Sequence, residues 1–181
     1  MKVIETGIEG LLLIEPRVFK DPRGYFFESY NQSGFEKIGI PTKFVQDNQS
    51  MSMRGAIRGL HFQKRPHAQA KLVRVVSGSV LDVVVDVRKN SDTFGKHFAV
   101  ELSAENFLMM YIPEGFAHGF ATLQDHTVFQ YKCSDLYYPE TEGGIYWNDP
   151  ALGIEWPDFE NVLVSDKDQK LPLFTDFTSP F

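Results

Sequence analysis

The most restrictive feature of this chain lies between Lys71 and Cys133, where short apolar runs are broken by a turn signal roughly every ten residues. Lys71–Val76 and Val80–Arg88 are rich in Val and flank Ser77-Gly78-Ser79, which predicts a hairpin. His97–Leu102 alternates, with Phe98, Val100 and Leu102 on one face and His97, Ala99 and Glu101 on the other. Phe107–Ile112 stops at Pro113-Glu114-Gly115, and His118–Leu123 and Thr127–Cys133 are separated by Gln124-Asp125-His126. Such a series predicts an all-β sandwich or barrel. Helices are expected only at Ser33–Ile38 and around Asp166–Gln169. The tail, Thr175–Phe181, is expected to be loosely held, with its two Phe residues able to dock.

The 181 residues contain no repeat, low-complexity tract or linker-like stretch, so residues 1–181 are read as one domain. The chain has one cysteine, Cys133, which rules out an intramolecular disulfide or a cysteine-based metal cluster and favours a reducing, cytosolic setting. Leu11–Ile14 is too short and too closely flanked by acids to be a signal peptide. No apolar run approaches the roughly 20 residues of a membrane-spanning helix, so no membrane partner is expected. A net charge of −6 argues against a nucleic-acid partner. A small phosphorylated ligand would need a local cluster of cations; Arg23, Arg58, Lys71 and Lys167 are candidates, and without a fold to gather them they read as solvated surface charges.

Two histidines carry possible chemistry. His61 lies in Ile57-Arg58-Gly59-Leu60-His61-Phe62-Gln63. A histidine bonded into the core is the commoner outcome for such a residue, but Arg58 is three positions away and Lys71 opens the next strand. Lys71 shares its parity with the buried-looking Val73 and Val75. It is either a strand-end lysine snorkelling to water or an interior cation with a functional reason. His118 lies in Pro113-Glu114-Gly115-Phe116-Ala117-His118-Gly119, a spacing that resembles the second motif of cupins. In metal cupins the first motif supplies H-x-H; here that position reads His61-Phe62-Gln63, and His67 is poorly placed as a substitute. A barrel without a metal site is expected. Tyr131 shares its strand face with Thr127, Phe129 and Cys133, and on that basis alone it reads as a core tyrosine.

In order and spacing, several segments resemble one family, the dTDP-4-dehydrorhamnose 3,5-epimerases, over about Gly10–Leu173. They are Asp21-Pro22-Arg23-Gly24, Phe27-Glu28, Gln46-Asp47-Asn48, Arg58-Gly59-Leu60-His61 and Gln69-Ala70-Lys71-Leu72-Val73. The cupin-like segment around His118, Tyr131-Lys132-Cys133, Tyr138-Pro139-Glu140, Trp147-Asn148-Asp149-Pro150 and Ser165-Asp166-Lys167-Asp168 complete the series. The resemblance implies a cupin-type double-stranded β-helix that uses no metal or cofactor. It also implies a dTDP-sugar substrate and a homodimer in which part of each site is completed near the interface. It assigns the general base to His61, the acid to Tyr131 and the histidine-orienting carboxylate to Asp168. Substrate contacts are implied at Arg23, Glu28, Gln46, Asp47, Asn48, Arg58, Lys71, His118, Glu142 and Lys167.

The implied substrate is a 4-ketosugar, whose C3 and C5 hydrogens are both α to the carbonyl. Removing either one places negative charge on O4. This chemistry needs a base on one face, a cation at O4 and an acid on the opposite face. Lys71, with Arg58, is the expected O4 cation. Asp82 either neutralises Lys71 or pairs with Arg74 across the expected hairpin. Phe26, Phe27, Tyr137 and Tyr138 are candidates to stack the base of the nucleotide. On a regular strand Arg58 and His61 would face opposite ways. Both can reach one site only if the strand bulges or ends near Gly59, which glycine permits.

Overall fold

The computed structural model describes residues 1–181. The strands are β1 (Lys2–Glu5), β2 (Leu12–Glu15), β3 (Phe19–Asp21), β4 (Gly24–Phe26), β5 (Gln46–Ser52), β6 (Ala56–Gln63) and β7 (Lys71–Ser77). They continue with β8 (Ser79–Asp86), β9 (His97–Ser103), β10 (Met109–Ile112), β11 (Phe116–Thr122), β12 (Thr127–Cys133), β13 (Glu142–Gly144) and β14 (Leu163–Val164). One sheet runs β1-β2-β10-β7-β12-β5; the other runs β13-β6-β11-β8-β9, with β14 added in parallel to β6. These facing sheets form the cupin-type jelly roll. β3 and β4 make a separate hairpin. The only α-helix, α1 (Gln32–Lys37), is capped by the Asn31 side chain, which accepts from the Gly34 N–H. No helix is long and apolar enough to cross a membrane.

Side chains from both sheets meet in the main core. Val73 and Val75 of β7, Met110 of β10 and Phe129 of β12 pack against Val80 and Val84 of β8, Leu102 of β9 and Phe120 of β11. The alternation along β9 holds, since Phe98, Val100 and Leu102 all join this core. β8 is buried along almost its whole length because β9 and β11 flank it and both its faces are covered.

Two expectations are corrected. β7 and β8 do not form a hairpin: β7 pairs with β10 and β12, and β8 with β9 and β11. The Ser77-Gly78-Ser79 turn carries the chain from one sheet to the other. Gly78 has φ +79°, and a Cβ there would sit 2.2 Å from Thr127 Oγ1, so this crossing needs glycine. Arg74 and Asp82 are therefore on different sheets; Arg74 bonds Gln130 (3.1 Å), while Asp82 meets His118. The tail is also docked rather than loose. Phe177 and Phe181 each pack edge-on against Phe62 at 5.7 Å, and Lys89 N–H donates to the Phe181 carbonyl at 3.2 Å.

Candidate active site

The local geometry of β6 creates the site. His61 is registered with His118 on β11 and Arg58 with Phe120, so β6 advances three residues while β11 advances two. The extra residue is a bulge at Gly59-Leu60, one of the two ways the sequence left for Arg58 and His61 to share a site. Gly59 has φ +130°, and a Cβ on it would stand 2.5 Å from Gly119 Cα and 2.8 Å from the His118 carbonyl. Only glycine fits this approach. Arg58 and His61 consequently both line a cleft of about 660 Å3, and Arg58 Nε is steadied by Ser52 Oγ at 3.1 Å.

The cleft lies between the sheets. His61 stands on one wall, on β6; Tyr131 of β12 and Lys71 of β7 belong to the other sheet. A second lobe of about 360 Å3 shares His61, Lys71 and Tyr131 with the first and adds Gln46, Asn48 and Glu142. His61 Nε2 lies 2.8 Å from Asp168 Oδ1, and Asp168 Oδ2 accepts the Gly59 N–H at 3.2 Å. Burial pushes the Asp168 carboxyl up, but the His61 hydrogen bond and charge, with the Gly59 N–H, outweigh it and hold the group below the usual carboxylate range. Asp168 stays ionised and keeps one ring nitrogen of His61 fixed.

Burial pushes the Lys71 ammonium below its usual range, despite the opposing influence of Cys133, Asp82 and Glu142. Its Nζ lies 5.9 Å from the centre of the Tyr131 ring. Burial, with Cys133 behind it, raises the Tyr131 phenol, which keeps its proton through neutral pH. His118 is buried, with Nε2 3.0 Å from both carboxylate oxygens of Asp82. Burial also raises Asp82, and it is drawn back by His118 and Lys71. At the cleft mouth, Glu142 Oε2 accepts from both Tyr137 Oη and Lys167 Nζ, each at 2.6 Å. Burial works against the charged form of Glu142, but these two donors hold it below its ordinary value.

The fold thus gathers His61, Tyr131, Asp168, Lys71, Arg58, His118, Lys167, Gln46, Asn48 and Glu142 around one connected cleft. Three candidates lie outside it. Arg23, at the tip of the β3–β4 hairpin, pairs with its neighbour Asp21 at 2.6 Å and is almost fully exposed. Glu28 accepts from Asn31 Nδ2 beside α1, and Asp47 points outward to Lys132. Among the stacking candidates, Tyr138 is occupied by His67 at 3.5 Å and Phe27 by Tyr25 and Phe107, whereas Phe26 is exposed and Tyr137 lines the second lobe.

Three contributors were not picked out from the sequence. Ser165 accepts the Asp168 N–H at 3.1 Å, a Ser-x-x-Asp turn whose spacing was visible. Cys133 accepts from Asn48 Nδ2 at 3.6 Å, and Ser52 supports Arg58; nothing in the sequence marks either contact. Gln63, at the position where a metal cupin has histidine, spends its amide on backbone. It donates to the His67 and Leu136 carbonyls and accepts from the Tyr138 N–H. No group of three or more His, Cys, Asp or Glu side chains converges so as to hold a metal ion.

A sequence model described as dTDP-4-dehydrorhamnose 3,5-epimerase matches residues 5–176. The chain is similar to the dTDP-4-dehydrorhamnose 3,5-epimerase of Escherichia coli K12, at 53% identity over 94% of this chain and 93% of that protein. It resembles the crystal structure of the Bacillus anthracis enzyme of that name, with TDP and PPi bound, at TM-score 0.93 and 49% identity over 96% and 99% of the two chains. It also resembles a Legionella pneumophila dTDP-6-deoxy-D-glucose-3,5-epimerase in complex with dTDP-4-keto-L-rhamnose. There the TM-score is 0.94, with 46% identity over 98% and 94% of the chains.

Proposed function

The chain belongs to the dTDP-4-dehydrorhamnose 3,5-epimerase family, and from that premise we propose that it epimerises C3 and C5 of dTDP-4-dehydro-6-deoxy-D-glucose, giving dTDP-4-dehydro-L-rhamnose. The observation that carries the mechanism is that His61 and Tyr131 occupy opposite walls of one cleft, with Lys71 beside Tyr131. His61, held by Asp168, takes the proton from C3 or C5 and becomes imidazolium. The electron pair moves onto the carbonyl, and O4 becomes an enolate oxygen facing Lys71. The Tyr131 O–H then protonates the same carbon from the other face and inverts it. The phenolate regains its proton and the imidazolium loses one, through solvent, so the cycle is redox-neutral and needs no cofactor.

Arg58 and Lys167 supply the donors for the sugar and diphosphate, with His118 a further contact on the cleft wall and Gln46, Asn48 and Glu142 lining the adjoining lobe. This reading is supported by their joint presence around the cleft. The positions of Arg23, Glu28 and Asp47 are consistent with a homodimer in which the exposed β3–β4 hairpin reaches the cleft of a second copy. Phe19, Tyr25 and Phe26 on that hairpin are all at least half exposed, at 50%, 57% and 66%. One domain over 1–181 is supported by the joining of β1 and β2 to the central strands and by the docking of the tail. A reducing cytosolic setting agrees with the single, buried thiol. The test is proton NMR of the ketosugar with the protein in deuterium oxide: deuterium should enter at both C3 and C5. Entry at one carbon alone would reduce the activity to a mono-epimerisation.

A further inference from the structure

Residues 171–181 take no part in the proton transfers, and 177–181 lie beyond the family match. They are nevertheless tied down along their length. Leu171 lies against Gly144, the register partner of His61, where an added Cβ would come within 2.8 Å of Leu171 Cδ1. Tyr146 N–H donates to the Pro172 carbonyl at 2.8 Å. Phe174 N–H donates to the buried Asp149 carboxylate, and its ring packs against Phe94 at 5.3 Å. Further on, Phe177 and Phe181 close on Phe62, Ser179 Oγ donates to the Val87 carbonyl, and Lys89 N–H bonds the Phe181 carbonyl.

His61 and Phe62 are consecutive on β6, so their side chains leave the strand on opposite faces. Asp168 meets the first, and Phe177 and Phe181 cover the second. One continuous run of chain therefore grips β6 from both sides at adjacent residues. Upstream of Asp168, the same run is anchored by the pairing of β14 with Ala56 and Ile57. We propose that residues 171–181 are a positioning strap: clamped behind Phe62, they hold Asp168 in place against His61 and set the efficiency of proton abstraction. This rests on His61 being the base. Phe177 and Phe181 act through Asp168 and touch no substrate.

The test is a Phe177→Ala/Phe181→Ala pair in the full chain, assayed on dTDP-4-keto-6-deoxyglucose. Expected is a fall in kcat of about tenfold or more with KM held within about twofold, because small misplacements of catalytic groups are costly to rate. In an Asp168→Asn background the same pair should cost no further activity. Unchanged kcat, or an equal loss in both backgrounds, overturns the proposal. A milder Phe181→Leu variant guards against loss of the fold. In its proton NMR spectrum the His61 imidazole N–H bonded to Asp168 should exchange with solvent faster than in the parent protein, and an unchanged rate overturns the strap. If the parent protein turns over no ketosugar, it is the reading of the site that fails, and the imidazole exchange rate still decides the strap.

Discussion

His61 and His118 are register partners on neighbouring strands, and each is held by its own carboxylate: His61 by Asp168 at 2.8 Å, His118 by Asp82 at 3.0 Å. Their exposure separates them. The His61 side chain is 29% exposed and that of His118 only 7%, so His61 is the imidazole free to pass a proton to and from solvent. His118, closed in against Asp82, is held in a fixed position on the cleft wall.

Solvent exchange should separate these two roles. In His61→Asn, exchange at C3 and C5 should fall by about 10²–10⁴-fold, the usual contribution of a positioned base. In His118→Asn, exchange should be slowed yet remain measurable. Deuterium uptake by the ketosugar, followed by NMR, makes the comparison.

Lys71 should set the alkaline limit of activity. Its ammonium is held below the usual lysine range by burial, while the Tyr131 phenol is held above its own. As pH rises, loss of the Lys71 proton should end activity, and kcat should decline below the pH at which an ordinary lysine titrates. Lys71→Arg should move that limb upward, since guanidinium stays charged. Lys71→Met should lower kcat by about 10²–10³-fold, the scale for removing an oxyanion donor. A kcat–pH profile reads both effects.

Gly59→Ala should damage fold and site together. The substitution forces a side chain onto φ +130° and into contact with Gly119 Cα. A loss of about 2 kcal/mol or more in urea unfolding is expected. Activity should drop beyond that, because the bulge is what lets Arg58 and His61 share the cleft.

Away from the site, Asp86 should govern acid stability. Burial opposes its ionisation, but Arg88, Ser91 and Thr93 together lower its pKa from 3.8 to about 2. A depressed folded-state pKa means that the stabilisation is complete above 3.8 and fades as pH falls toward 2. Asp86→Asn should therefore cost about 2 kcal/mol at neutral pH and flatten the loss of stability in that acid window. Unfolding midpoints measured across the window test the sign.

The sequence made the strands and the cupin-like turn before His118 legible, because residue type and local spacing express them directly; the pairing of His61 with Asp168, remote along the chain, came only with the family resemblance. The sequence also exposed the parity conflict between Arg58 and His61, which the Gly59 bulge resolves. The partners of β7 and β8 were not legible. A Gly-containing turn between two Val-rich runs suits either a hairpin or a crossing between sheets, and only the contact of Gly78 with Thr127, distant in sequence, distinguishes them. The docking of Phe177 and Phe181 was hidden for the same reason: their partner Phe62 is remote along the chain. Arg23, Glu28 and Asp47 carry no local mark of lying away from the cleft, and their spatial relation to it emerges only with the fold.

The central claim is that His61 removes the proton and Tyr131 returns one from the opposite wall. It is tested most directly by comparing Tyr131→Phe with His61→Asn in deuterium oxide, following isotope uptake and product configuration in the same NMR tube. Tyr131→Phe should still admit deuterium, because His61 and Asp168 remain intact, but should form little inverted product. His61→Asn should lower uptake and inversion together, by about 10²–10⁴-fold. Inverted product formed by Tyr131→Phe at the parent rate, or full exchange in His61→Asn, would contradict the assignment of base and acid to the two walls of the cleft.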